Sequence, residues 1–181
     1  MKIAATTQTG LNIPKQYVWV LLMLALIVFQ YVLTIYFFTM RARLAVFRRN
    51  FLRQFDKEHA EAFPHMDKAP EYGYPDTGCG YYGKRLPYAD WFKMNNGQRT
   101  QINFLEQITF EIISSFIASL VYPQYALYSL IGWFFGRAAF TIGYTVKGPQ
   151  GRLIGALTMD VCMLANIILM VMAVGSMLKW W

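Results

Sequence analysis

The stretch "QRTQINFLE", residues 98–106, sets an arginine, glutamines, an asparagine and a glutamate at the mouth of a long apolar run. That run extends from Ile102 to Val146, too far for one crossing of a bilayer, which takes about 20 residues. Pro123, within "VYPQY", disfavours continuation of a helix. The run therefore divides into two expected spans, about 102–122 and 124–146, joined by a tight turn. Upstream, the uncharged run 17–40 ends abruptly at Arg41, which is too long and too well stopped for a cleaved signal peptide. It supplies the first span, and 153–178 supplies the fourth.

With 56% hydrophobic and 15% charged residues in 181, the chain exceeds the apolar content of an ordinary soluble domain. The expected fold is an all-α membrane protein, a four-transmembrane-helix bundle formed by residues 17–181 behind an N-terminal tail of residues 1–16. A loop insertion, 50–97, separates the first two spans. The formal charge of +7 reads as a topology signal, and no nucleic-acid partner is expected. Basic residues crowd the first loop, led by Arg41, Arg43, Arg48 and Arg49, whereas the opposite face has only Lys2, Lys15 and Lys179. The loops are thus expected on the cytoplasmic side. Cys79 and Cys162 sit in unlike settings, so no disulfide is expected. His59 and His65 lack a matching ligand cluster, so no metal site is expected.

The whole first loop, roughly 41–98, has two characters. "RARLAVFRRNFLRQFDKEHAEAF" continues the first helix beyond the membrane, its arginines forming a collar near lipid headgroups. The rest, rich in Gly, Pro and Tyr, is either functional or a docking surface for a protein partner, centred on 72–91.

On a helix advancing about 100° per residue, Arg99, Asn103, Glu106 and Phe110 share one face and Gln101 points nearly the opposite way. Two readings stay open. The charges hold helices together, or they grip a zwitterionic or anionic ligand, with the arginine on a carboxylate and the glutamate on an ammonium. In "FGRAAFTIGYTVKGPQGR", Arg137, Phe140 and Tyr144 form a second stripe. Arg137 is deep for a lone charge and calls for a partner, for which Glu106 or Glu111 is the candidate. Asp160, in the fourth span, is expected to be buried and paired with Asn166, Arg152 or a neighbouring subunit, with proton handling as the alternative.

"QRTQINFLE", then "FGRAAFTIGY", then "GPQGRLIGAL" in this order and spacing resemble the MAPEG family of membrane-associated proteins in eicosanoid and glutathione metabolism. The similarity is greatest to its microsomal glutathione transferase type-three and leukotriene-C synthase branch, and it covers residues 98–157 well and the first span loosely. The resemblance implies a homotrimer of four-helix protomers, binding glutathione between neighbouring subunits near the cytosolic face. It also implies that Arg99, Gln101, Asn103 and Glu106 hold glutathione, the glutamate meeting its free amino group. Tyr144 matches a ligand-contacting tyrosine, and Arg43, or Arg41, matches a basic position at the end of the first helix. Three positions depart from the pattern. Phe140 stands where leukotriene-forming members have tyrosine, Gln107 replaces an aromatic residue, and Ile154 occupies the aligned place of the arginine that stabilises the thiolate. Arg152, two residues earlier, is the substitute candidate for this catalytic role, which matters because a free thiol has a pKa of about 8.5 and must ionise to attack.

Two functions from different classes follow as expectations. One is a membrane-bound glutathione transferase or peroxidase acting on lipophilic electrophiles or lipid hydroperoxides that enter from the membrane lipids. The other is a non-catalytic MAPEG-like accessory or scaffold subunit of a larger membrane complex. The endoplasmic reticulum is the expected location, a mitochondrial membrane the alternative.

Overall fold

The computed structural model describes residues 14–70 and 76–180. The tail expected at 1–16 lies almost wholly outside them, as do the first residues of the 72–91 segment. Among the described residues every regular element is helical. The first helix, α1, runs from Lys15 to Val46 and contains a π-helical stretch, Ile35–Met40. A short helix, α2 (Asp56–Ala62), lies in the insertion. Three long helices complete the chain: α3 (Tyr88–Ser119), α4 (Pro123–Lys147) and α5 (Leu153–Met177).

Local chemistry accounts for the boundaries. Pro123 takes the first position of α4, where its missing N–H is no loss. Gly148 ends α4 at φ +67°, a backbone that an L side chain rarely adopts. Helix α1 stops at Val46, and Phe47 breaks the ladder at φ −86°, ψ 52°. The expected continuation of that helix through the collar is therefore corrected: a separate turn, Arg49–Leu52, begins after the break. The insertion is also shorter as a loop than expected, because its last residues, from Tyr88, already belong to α3.

Helices α3 and α4 each pack against α1 and α5, which flank them. The core joins Val20, Leu24 and Ile27 of α1, at helical spacing, to Phe104 and Ile108 of α3, Leu130 and Trp133 of α4, and Met159 of α5. Close backbone approaches seat the helices. At Gly97 of α3 an added Cβ would lie 2.7 Å from the Ala42 Cβ, and the Gly97 carbonyl accepts hydrogen bonds from the hydroxyls of Thr39 and Thr100 at 3.0 and 2.7 Å. Gly143 faces Gly151, and Gly155 faces the backbone of Phe140, so the α4–α5 hairpin closes with no side chain between the two backbones. Two of the helices, Lys15–Val46 and Leu153–Met177, are long and apolar enough to cross a membrane. Their outward faces carry Trp19, Leu22, Phe29, Leu157, Leu164 and Ile168, an apolar surface of the kind that a bilayer covers.

The insertion has its own small core of Leu52, Phe55 and Ala69, flanked by Phe51 and Tyr82. Asp56 holds this unit together by accepting from Arg49 and, at 3.0 Å, from the Ala69 N–H. The Asp76 carboxylate accepts from the N–H groups of Gly78 and Gly83 at 2.6 and 2.7 Å, and Trp91 donates to the Gly78 carbonyl at 2.8 Å. Tyr81 and Arg85 both donate to Glu58.

Two expectations can be tested. Gly143→Ala forces a methyl into the Gly151 carbonyl and should lower the detergent melting temperature, by the roughly 1–3 kcal/mol typical of overpacking; an unchanged melt would mean that the hairpin is loosely packed. In the insertion, the hydrogen bond from Arg49 holds the Asp56 carboxyl below its ordinary pKa. A depressed folded pKa gives stability that is present above the unfolded value and lost as pH falls below about 4. Near-UV circular dichroism should show wild type losing the insertion's aromatic signal below about pH 4, while Asp56→Asn has lost it already at neutral pH.

Candidate functional site

Arg137 is the deepest cation of the described chain, with no exposed surface. Its guanidinium lies over the rings of Phe104 and Phe140, 4.4 Å from each centroid. One terminal nitrogen donates to Asn103 Oδ1 at 2.9 Å and the other to the Thr100 carbonyl at 2.6 Å. This corrects the expected pairing with Glu106 or Glu111. Glu106 is exposed on the outward face of α3. Glu111 lies two turns beyond Asn103, about 12 Å along the axis, and so out of reach. An amide oxygen, a backbone carbonyl and two ring faces take the place of a carboxylate.

Helix α3 carries the four expected ligand-holding residues. Arg99 and Glu106 are both exposed, and neither makes a hydrogen bond or ion pair among the described residues; Gln101 and Asn103 are half-buried, and Asn103 is engaged by Arg137. On α4, Tyr144 is buried and its ring packs 5.6 Å from that of Phe140. Arg152, at the foot of α5, places its guanidinium over the Tyr144 ring at 5.6 Å. Asn103, Arg137, Phe140, Tyr144 and Arg152 thus form one line of contacts from α3 to α5, whereas Arg99 and Glu106 stand on the outer surface beside it. Ile154, at the aligned position of the family arginine, is 81% exposed and points away from the bundle. Arg43 donates to the Asp76 carbonyl at 3.3 Å, tying α1 to the insertion.

Farther from the loop-facing end, Asn166 of α5 donates to Glu111 Oε1 at 2.7 Å, both side chains being wholly buried. Asp160 is corrected on two counts: it is exposed on α5 among Leu157, Val161 and Leu164, and Asn166 is occupied by Glu111. Six residues before Asn166, it lies about 600° around the helix, well off the face that Asn166 presents.

The spacing of small residues carries packing information that charge patterning misses. Gly136 and Gly143, seven apart on α4, and Gly151 and Gly155, four apart across the turn, mark the packed face of the hairpin. Phe104, one residue after Asn103, belongs with the Arg137 stripe. The role of the Thr100 carbonyl has no side-chain signature at all.

An all-helical bundle with apolar outer faces, a buried cation and outward-facing charges near one end defines a membrane protein that offers polar groups to a ligand or to another chain. Its family follows from comparison: the MAPEG family signature matches residues 17–175, nearly the whole chain, and the protein belongs to that family. It is therefore a membrane protein of the glutathione transferase and eicosanoid-synthesis superfamily, whose members generally use glutathione. No individually curated protein matches the sequence.

The contrast between the two α3-level arginines is testable. Arg137→Met leaves the Asn103 oxygen without its donor and removes the cation between the Phe104 and Phe140 rings, and should destabilise the protein by roughly 2–4 kcal/mol. Arg99→Ala, at an exposed site, should stay within about 0.5 kcal/mol. Detergent melts that rank the two in the opposite order would show that Arg137 is not the structural centre.

Proposed function

We propose that the protein is a membrane-bound glutathione transferase or peroxidase acting on lipophilic electrophiles or lipid hydroperoxides. It would work as a homotrimer of four-span protomers with a glutathione cleft between subunits. The observation that carries this reading is the pair Arg99 and Glu106: opposite charges two helical turns apart, exposed, unpaired, and flanked by apolar surface. Charges at such a level need a partner. A tripeptide with carboxylates and an ammonium supplies both signs, and a neighbouring protomer supplies the opposite wall. The outward-facing Asp160 supports the same assembly, since a carboxylate among leucines favours contact with another chain over lipid.

In this arrangement Arg99 clamps a carboxylate by its planar fork. Glu106 receives the ammonium, and the amides of Gln101 and Asn103 accept and donate along the peptide. Asn103 retains its amide donor for this purpose, because Arg137 uses its oxygen. Tyr144 offers a hydroxyl at the same end of the bundle. Glutathione supplies the chemistry, a thiol that attacks as thiolate. Arg152 would hold the negative charge on sulfur while the proton leaves to water; stacking on Tyr144 keeps its guanidinium at this end of the bundle. Arg43 sits on the α1 side, anchored to the insertion, where it can close over the cleft of an adjacent protomer. The loop-bearing end faces the cytosol by its basic residues, and the endoplasmic reticulum is the membrane we favour over a mitochondrial one.

One observation favours the second reading, a non-catalytic accessory or scaffold subunit. The insertion is a folded unit with its own core, and it presents Tyr81 and Tyr88 to solvent, suited to binding another protein. Calorimetry with glutathione on the detergent-purified protein separates the two. Saturable binding weakened at least about tenfold in Arg99→Ala and Glu106→Ala supports the glutathione site. A bound thiol that ionises well below its free value, reverting in Arg152→Ala, supports the transferase. Absence of binding would overturn both and leave the accessory role.

A further inference from the structure

A second polar site lies where the C-terminal end of α1, the N-terminal turns of α3 and the end of α4 meet. There a groove of about 880 Å³ opens, and its lining includes none of Arg43, Arg99, Glu106, Tyr144 or Arg152, though it does include Arg41, the alternative to Arg43 in the family resemblance. Phe37, Phe38, Phe92 and Val146 form its apolar wall. Phe37 and Val146 are also outward-facing, so the groove is continuous with the surface presented to lipid. Arg41, Arg48 and Lys93 line it too, all exposed, and none makes a hydrogen bond or ion pair among the described residues. Arg41 is steadied over the Phe37 ring at 5.2 Å. Asp90 is the one carboxylate among the lining residues. Asn96 also lines it, 4% exposed, with an Oδ1 that has no hydrogen-bond partner.

These features specify a ligand more narrowly than a basic collar does. Three cations against one carboxylate select an anion. An apolar wall that runs into the lipid-facing surface selects an amphipath. A buried, unsatisfied amide oxygen and a carboxylate on the same wall ask for hydrogen-bond donors, which a phosphodiester by itself does not have. We propose that the groove is a binding site for an anionic phospholipid whose headgroup carries free hydroxyls, of the phosphoinositol or phosphoglycerol class. Its phosphodiester meets Arg41, Arg48 and Lys93, its hydroxyls donate to Asn96 Oδ1 and Asp90, and its acyl chains lie along Phe37, Phe38 and Val146. Zwitterionic phosphatidylcholine, with no donor in its headgroup and no net charge, is discriminated against on both counts. The site joins α1, α3 and α4, so the lipid would brace the end of the bundle that carries the loop.

The test titrates detergent-purified protein with dioctanoyl phosphatidylinositol, dioctanoyl phosphatidylcholine and free inositol 1-phosphate, read by native mass spectrometry at low and at moderate salt. The expected result is saturable binding of the inositol lipid, at least about tenfold tighter than phosphatidylcholine and weakened by salt. Removal of two cations in Arg48→Gln/Lys93→Gln should weaken it about thirtyfold. Asn96→Leu should narrow the preference for inositol lipid over dioctanoyl phosphatidylmethanol, a phosphodiester of the same charge with no headgroup hydroxyl. Equal binding of the inositol and choline lipids, or affinity unchanged in the double variant, would overturn the proposal. Inositol 1-phosphate binding as tightly as the lipid would overturn the lipid assignment in favour of a free solute. Glutathione calorimetry on the same double variant reports folding and the other site separately, because neither substituted residue belongs to that site.

Discussion

Burying a guanidinium is tolerated only when its donors and its planar faces are met by the protein, since several kcal/mol of hydration are given up. Arg137 meets that requirement at its two terminal nitrogens and on its ring-covered faces, mostly from one helix, while its Nε has no hydrogen-bond partner among the described residues. Thr100, Asn103 and Phe104, on consecutive turns of α3, provide a carbonyl, an amide oxygen and a ring, while Phe140 of its own helix covers the other approach. The register of α3 against α4 is thereby set at one level of the bundle. From there Phe140 leads to Tyr144 and Tyr144 to Arg152, so the position of the α4–α5 turn depends on the same cation. Arg99 and Glu106 face outward because the inward side of α3 at this level is already committed to Arg137.

The glycine seam serves the same end by a different means. Gly143 and Gly151, with Gly155 against the Phe140 backbone, bring α4 and α5 so close that the turn between them has little freedom. Gly148 adds a backbone angle that few other residues allow and sits against Phe92 and Asn96 of α3. The stretch "GPQGRLIGAL", which reads as a functional signature, is thus also a packing device. It holds Arg152 where a shorter or looser turn would not.

Much of the architecture was legible because hydropathy and punctuation speak directly: the greasy stretches became long helices, and Pro123 opened α4 as its ring chemistry requires. Helical phase put Arg99, Asn103, Glu106 and Phe110 on one face but not which way it points: Arg99, Glu106 and Phe110 are exposed, whereas Asn103 at its edge turns to Arg137. Partners were less legible. Arg137 looked for a carboxylate because charge suggests charge, yet the structure answers with a backbone carbonyl, an amide and rings, groups that carry no formal charge to search for. Asp160 was misplaced because a carboxylate in an apolar run suggests burial, while its phase on α5 puts it outside and leaves Glu111 to Asn166. The insertion looked like a loop because its Gly, Pro and Tyr content masks a core of only a few residues and a lattice of aspartate-capped turns.

The π-helical stretch in α1 gives that helix two independent azimuths. Each wide turn takes up an extra residue and rotates the rest of the helix by roughly 100° relative to an ideal wheel. Before the stretch, Val20, Leu24 and Ile27 keep phase with the core; at its end and beyond, Thr39 meets Gly97, Arg41 leans toward the groove and Arg43 toward Asp76. The compass bearing of Arg41 and Arg43, the first two arginines of the collar, is therefore written in the backbone of Ile35–Met40. Trimming one residue there would swing Arg41 and Arg43 away from their present neighbours without altering either side chain.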